Sequence, residues 1–164
     1  MKKSLIYSLL ACTLLAASAS AGTFKVPNDE FGIASVSIPD AWKPEAIDRG
    51  VQANSPDSEI YMAVEAVGSD KGIDSALDET EKMLKENKVS IDESSQSKST
   101  FQVAGVEATE LTYKGKMEGE AQTVSIVLVP LKGKLVIVTY WATASKEKAH
   151  STEISKIVNS LKAL

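Results

Sequence analysis

Two runs near the C-terminal end, residues 121–130 and 135–144, are apolar on both faces. Val124, Ile126 and Leu128 alternate with Val127 and Val129, while Leu135, Ile137 and Trp141 alternate with Val136, Val138, Tyr140 and Ala142. A strand with one wet face alternates apolar with polar residues. One that is apolar on both faces needs cover above and below, and so belongs in the middle of a sheet. Leu131-Lys132-Gly133-Lys134 between the two runs reads as a hairpin connection with glycine at the bend. The pair therefore predicts the centre of an antiparallel sheet with a layer on each side.

The remaining patterns supply neighbours and cover. Ala34, Val36 and Ile38 alternate with Ile33, Ser35 and Ser37 before Pro39-Asp40, and a brief strand at Phe24-Lys25-Val26 precedes them. Residues 49–54 form a second short strand. Ile60, Met62, Val64 and Ala66 mark a longer one. A helix is expected over 74–86, capped by Asp74 or Ser75, with Ala76, Leu77, Thr80, Leu84 and either Met83 or Ile73 as its apolar stripe. A polar stretch, 92–100, leads to Phe101 and Val103. Residues 106–113 are a strand whose hairpin tip is Lys114-Gly115-Lys116. Ser145 caps a last helix in which Ile154, Ile157, Val158 and Leu161 share one face. The expectation is an α+β domain: a single antiparallel β-sheet sandwiched by helices.

Residues 1–21 read as an export signal. Lys2 and Lys3 precede an apolar run from Leu5 to Ala17, and Ala19-Ser20-Ala21 gives the small-residue pattern cleaved before Gly22. That run, about 13 residues, falls short of the roughly 20 that span a bilayer. Residues 22–164 remain as one domain, without a transmembrane segment, in the periplasm or secreted. Cys12 is the only cysteine, so cleavage removes disulfide, thiolate and redox chemistry together. Leu9-Leu10-Ala11-Cys12 loosely matches a lipidation signal, but Leu10 fits poorly, and the soluble product is preferred. Net charge is −4, and losing Lys2 and Lys3 makes it −6; Arg49 is the sole arginine. An acidic, arginine-poor domain is a poor fit to nucleic acid or to anionic lipid.

Chemistry-bearing motifs are sparse. His150 is the only histidine, on the polar side of the last helix, and no Gly-x-Ser-x-Gly elbow presents a nucleophile. One histidine without cysteine is too little for an ordinary zinc site. Ser95-Gln96-Ser97-Lys98 and Ser145-Lys146-Glu147-Lys148 match Ser-x-x-Lys, without the Ser-Asp-Asn and Lys-Thr-Gly elements that accompany it. Lys114-Gly115-Lys116 and Lys132-Gly133-Lys134 read as turns rather than phosphate loops. Asp74, Asp78, Glu79 and Glu81 belong to a solvated helix face, with Asp78–Lys82 and Glu81–Lys85 at ion-pair spacing. Asp57 with Glu59, or Asp92 with Glu93, would be the places for a hard cation. No metal or cofactor is expected. Trp141 reads as core. Trp42, just past a strand end, lids the sheet edge or stands exposed, with core preferred over partner contact. With Tyr61 and Tyr140, beside a partly open groove, it completes the expected set of partner-binding anchors.

Phe31-Gly32-Ile33-Ala34-Ser35-Val36-Ser37-Ile38-Pro39-Asp40-Ala41-Trp42 resembles the opening of the Mog1/PsbP/DcrB-like domains, where a first strand ends in Pro-x-x-Trp. The later order of strand, helix, four strands and a helix ending Ile154 to Leu161 is similar to that family over nearly the whole exported chain. The resemblance implies an antiparallel sheet between helices. It also implies proteins that mostly dock to larger partners: photosystem extrinsic subunits, a small-GTPase release factor, DcrB-type envelope proteins and secretion-effector chaperones. No residue-level function carries over. The expectation is a non-catalytic exported domain that binds or stabilises an envelope protein partner, in a DcrB-type setting. A periplasmic carrier of a small ligand or cation is the alternative, and a hydrolase using Ser95 or Ser145 ranks last.

Overall fold

The computed structural model describes residues 20–68 and 72–164. Residues 1–19 of the expected leader, Cys12 among them, lie outside these. In order the elements are β1 (Ala21–Val26), β2 (Ala34–Pro39), a 3-10 turn (Asp40–Trp42), β3 (Glu45–Ile47), β4 (Gly50–Asn54), β5 (Ile60–Val67) and α1 (Ile73–Glu86). They continue with β6 (Val89–Val103), β7 (Val106–Met117), β8 (Glu120–Leu131), β9 (Lys134–Thr143), α2 (Glu147–Asn159) and β10 (Lys162–Ala163). Ala21 and Gly22, the expected cleavage residues, open β1 opposite Pro39 and Ile38.

Seven strands form one antiparallel sheet in the order β3-β4-β5-β9-β8-β7-β6. The doubly apolar β8 and β9 are internal, as their pattern requires. One face carries Met62, Val64, Val127, Val129, Val136, Val138 and Tyr140 into a core with Trp42, Ile154, Ile157, Val158 and Leu161. The opposite face carries Val124, Ile126, Leu128, Ile137 and Trp141 toward Ala76 and Leu84 of α1. The sandwich is richer than expected, because β1, β2 and β10 build a second, three-stranded sheet on the α2 side.

Several local expectations need correction. The strand β6 runs straight through the polar stretch 92–100, with a bulge between Asp92 and Ser97. Residues 92–100 of this edge strand are mostly exposed, so they have no need of an apolar face. Lys114-Gly115-Lys116 is not a hairpin tip but part of the β7 ladder. The bend comes at Glu118-Gly119, both at positive φ. Glycine at 115 serves close approach, since a Cβ there would sit 2.5 Å from the Ser90 carbonyl oxygen. At Lys132-Gly133 the turn reading holds, with φ of 50° and 73°. Among the described residues neither helix has a side-chain cap at its start: Gly72 precedes α1 and Lys146 precedes α2, in place of Asp74 or Ser75 and Ser145. Ile73 is exposed, so the buried stripe of α1 is Ala76, Thr80 and Leu84.

Candidate functional site

The helix α2 is fastened at both ends. Near its start, His150 Nε2 lies 2.8 Å from Asp57 Oδ2 in the β4–β5 loop, and Nδ1 lies 3.2 Å from Glu153 Oε2. The imidazole meets the Trp42 indole edge-on, with centroids 6.4 Å apart. At the other end the Ser160 hydroxyl accepts the Ser37 N–H at 2.8 Å, tying α2 to β2. Burial of Ile154, Ile157 and Val158 fixes the face between these two points.

Between α2 and the outer half of the sheet this leaves a cleft of about 210 Å³, lined by Phe101, Glu110, Val127, Tyr140, Ile154 and Val158, with Ser155 and Asn159 beside them. The register explains the membership. Tyr140 pairs with Ser125, Thr112 with Ser125 and Glu110 with Val127, so these side chains share the α2 face across β9, β8 and β7. Glu110 is half-buried and accepts three hydroxyls: Ser125 at 3.0 Å and Tyr140 at 3.3 Å on Oε1, and Ser99 at 3.3 Å on Oε2. Thr112 and Ser125 share a further hydrogen bond of 3.1 Å. Among the described residues no lysine, arginine or histidine makes an ion pair with Glu110. Burial, with the neighbouring Glu110 charge adding to it, pushes the Tyr140 phenol well above its ordinary pKa of 10, so it stays protonated and donates.

Several other charges are paired with one another. The cleft beside α1, about 290 Å³, has Glu81 on Lys85 at 2.6 Å and Lys88 on Glu118 at 3.2 Å along its rim. Lys82 pairs with Glu86 rather than with Asp78. Arg49, in the β3–β4 turn, reaches Glu65 of β5 at 3.1 Å and Glu79 of α1 at 2.6 Å.

The expected anchors separate. Trp42 is 1% exposed and Tyr140 7%, so neither stands on the surface. Trp42 is drawn into the core by the 3-10 turn that follows β2, and Tyr140 forms part of the wall of the α2 cleft. Tyr61 is half-buried and lies on the opposite face of the sheet, stacked on Trp141 at 4.1 Å. Its hydroxyl donates to Gln52 at 3.0 Å, and burial, followed by the Glu65 charge, pushes its pKa up to about 12. The two tyrosines therefore share no groove. His150 is not a free surface residue but half-buried and docked. The Ser95 hydroxyl is used in the bulge, where it accepts the Lys114 N–H at 2.8 Å, and Ser145 is exposed beyond β9. Sequence reasoning missed Glu110 and Phe101. The available signal was a carboxylate in phase with Ala108 on an alternating strand.

The surroundings of His150 also bear on whether a Ser-His-Asp arrangement could act there. Ser55, Asp57 and His150 lie together, but the Ser55 hydroxyl donates to Asp57 Oδ1 at 2.6 Å and accepts the Ile60 N–H at 3.0 Å. Both imidazole nitrogens face carboxylates. A serine bonded to the acid, with the histidine beyond it, is the wrong order for general-base activation.

Comparison with known proteins places this architecture. No curated protein matches the chain. Among solved structures it resembles cyanobacterial PsbP (CyanoP) from Synechocystis sp. PCC 6803, at 11% identity and a TM-score of 0.61, over 94% of this chain and 99% of that one. LpqN of Mycobacterium tuberculosis, described as involved in cell envelope biogenesis, gives 16% identity and a TM-score of 0.52, over 87% and 90%. The Saccharomyces cerevisiae Ran-binding protein Mog1p gives 10% and 0.51, over 89% and 96%. At such identities the likeness is one of fold, a Mog1/PsbP-like α+β arrangement. The family model described as PsbP-like protein matches residues 38–163, and the chain belongs to that family.

Proposed function

We propose that this chain is an exported, non-catalytic domain of the cell envelope that docks a protein partner across the α2 cleft. The observation that carries the reading is Glu110, a half-buried carboxylate held by three hydroxyls in a partly apolar cleft and without a cationic partner among the described residues. Export rests on the leader pattern of residues 1–21, and DcrB-like placement in the envelope is part of the proposal. One fold neighbour is described by its role in envelope biogenesis and another as Ran-binding, which supports docking by analogy. Among the described residues no helix is long and apolar enough to cross a membrane. The non-catalytic part is supported by the commitment of Ser55, Asp57 and His150 to hydrogen bonds that hold α2 in place.

The carrier reading comes second. A volume of about 210 Å³ lies below the roughly 300–1,000 Å³ of ordinary small-molecule sites. It suits a single side chain better than a metabolite. The test is site-specific photo-crosslinking in the native host from Asn159, at the cleft rim, and from Lys82, on α1. A discrete protein adduct from position 159 only is the expected result. Adducts of equal yield from both positions, or none from 159, would count against docking at this face.

A further inference from the structure

The α2 cleft holds one negative charge and an apolar wall in a space sized for a single extended side chain. We infer that its occupant is a basic side chain of the partner protein, a lysine or arginine, whose cation pairs with Glu110 and whose methylene stem lies along Phe101, Val127, Ile154 and Val158. This rests on the docking reading above and names the chemistry of the contact.

Three features lead to that occupant. The carboxylate already accepts three hydroxyls, which orient it and keep its charge solvated while it waits, so little reorganisation is needed when a cation arrives. A neutral or acidic side chain would leave Glu110 desolvated beside apolar carbon without compensation, which is costly. Lysine and arginine are amphipathic in the required sense, with a stem that covers apolar surface and a charged head. The domain as a whole is acidic, with a net charge of −4 over the full sequence. That charge draws basic partners toward it before contact.

The test is a backbone-amide NMR titration of the exported domain, residues 22–164, at low and at physiological salt. The probes are short blocked peptides, Gly-X-Gly, with X as lysine, arginine, norleucine or glutamate. The lysine and arginine peptides are expected to shift Phe101, Glu110, Tyr140 and Ile154, with binding weakened by salt. Glu110→Gln, whose carbonyl oxygen can still accept hydroxyls, is expected to weaken them at least tenfold while the rest of the spectrum stays in place. Asn159→Lys, on the exposed rim, is a second variant that cannot be dismissed as a folding defect. It should weaken the basic peptides and leave norleucine unchanged. Equal binding of norleucine and lysine, or indifference to Glu110→Gln, would overturn the cationic occupant. With crosslinking from position 159 intact, only the occupant would be wrong; with that crosslinking absent as well, docking itself would fall.

Discussion

His150 of α2 and Asp57 of the β4–β5 loop, 93 residues apart in sequence, meet at 2.8 Å and hold the helix over the sheet. The hydrogen bond to Asp57 raises the imidazole above its ordinary pKa of 6.5; burial opposes it, and Glu153 adds to the rise. The hydrogen bond from Ser55, followed by that from His150, lowers Asp57 to about 2.

These shifts set the pH dependence of stability. A histidine whose pKa is raised on folding contributes fully below its unfolded value, about 6.5, and that contribution is lost as pH rises through the folded value. The lowered Asp57 contributes above its unfolded value of 3.8 and loses that contribution as pH falls toward about 2. Melting temperature against pH should therefore be highest between these limits as far as this pair is concerned. His150→Gln should flatten the decline above about pH 6.5. An unchanged alkaline limb in that variant would show that His150 is not ion-paired in solution.

Gly50 is held by a close backbone approach. A Cβ there would lie 1.9 Å from the Val64 carbonyl oxygen, in the β4–β5 ladder. Gly50→Ala should destabilise by about 3 kcal/mol, the upper range for forced overpacking. Gly72→Ala, at an open position before α1, should stay within about 1 kcal/mol. Urea unfolding of the two variants checks this, and equal stabilities would contradict the register.

Gln122 is 2% exposed, and among the described residues neither polar atom of its amide has a hydrogen-bond partner. Replacing a buried, unsatisfied group by an apolar one of similar shape removes a desolvation cost. Gln122→Met should gain about 1 kcal/mol in chemical unfolding. A loss of similar size would instead reveal a bound internal water.

Much of the fold was legible because it rests on local periodicity. The alternation in β8 and β9 gave their central place, and Ile154, Ile157 and Val158 gave the inward face of α2. The edge strand β6 was harder to read, since Ser94 to Thr100 are mostly exposed and carry no burial pattern. Lys114-Gly115-Lys116 misled because glycine marks both a bend and a close approach, and only the neighbouring Ser90 carbonyl distinguishes them. Trp42 and Tyr140, named as partner anchors, are buried, which for Trp42 is the core placement preferred from its position. A large ring gains more from the core than from water unless a partner covers it. The cleft itself combines β6, β7, β8, β9 and α2, so its members are joined by register and not by spacing along the chain.

The most direct test of docking through Glu110 is the yield of the photo-crosslinked adduct from position 159 in the native host, measured in the otherwise unaltered protein, in Ser145→Ala and in Glu110→Gln. The account predicts one discrete adduct, unchanged by Ser145→Ala and at least tenfold weaker with Glu110→Gln at equal protein level. An adduct indifferent to Glu110, or one lost with Ser145→Ala, would contradict it.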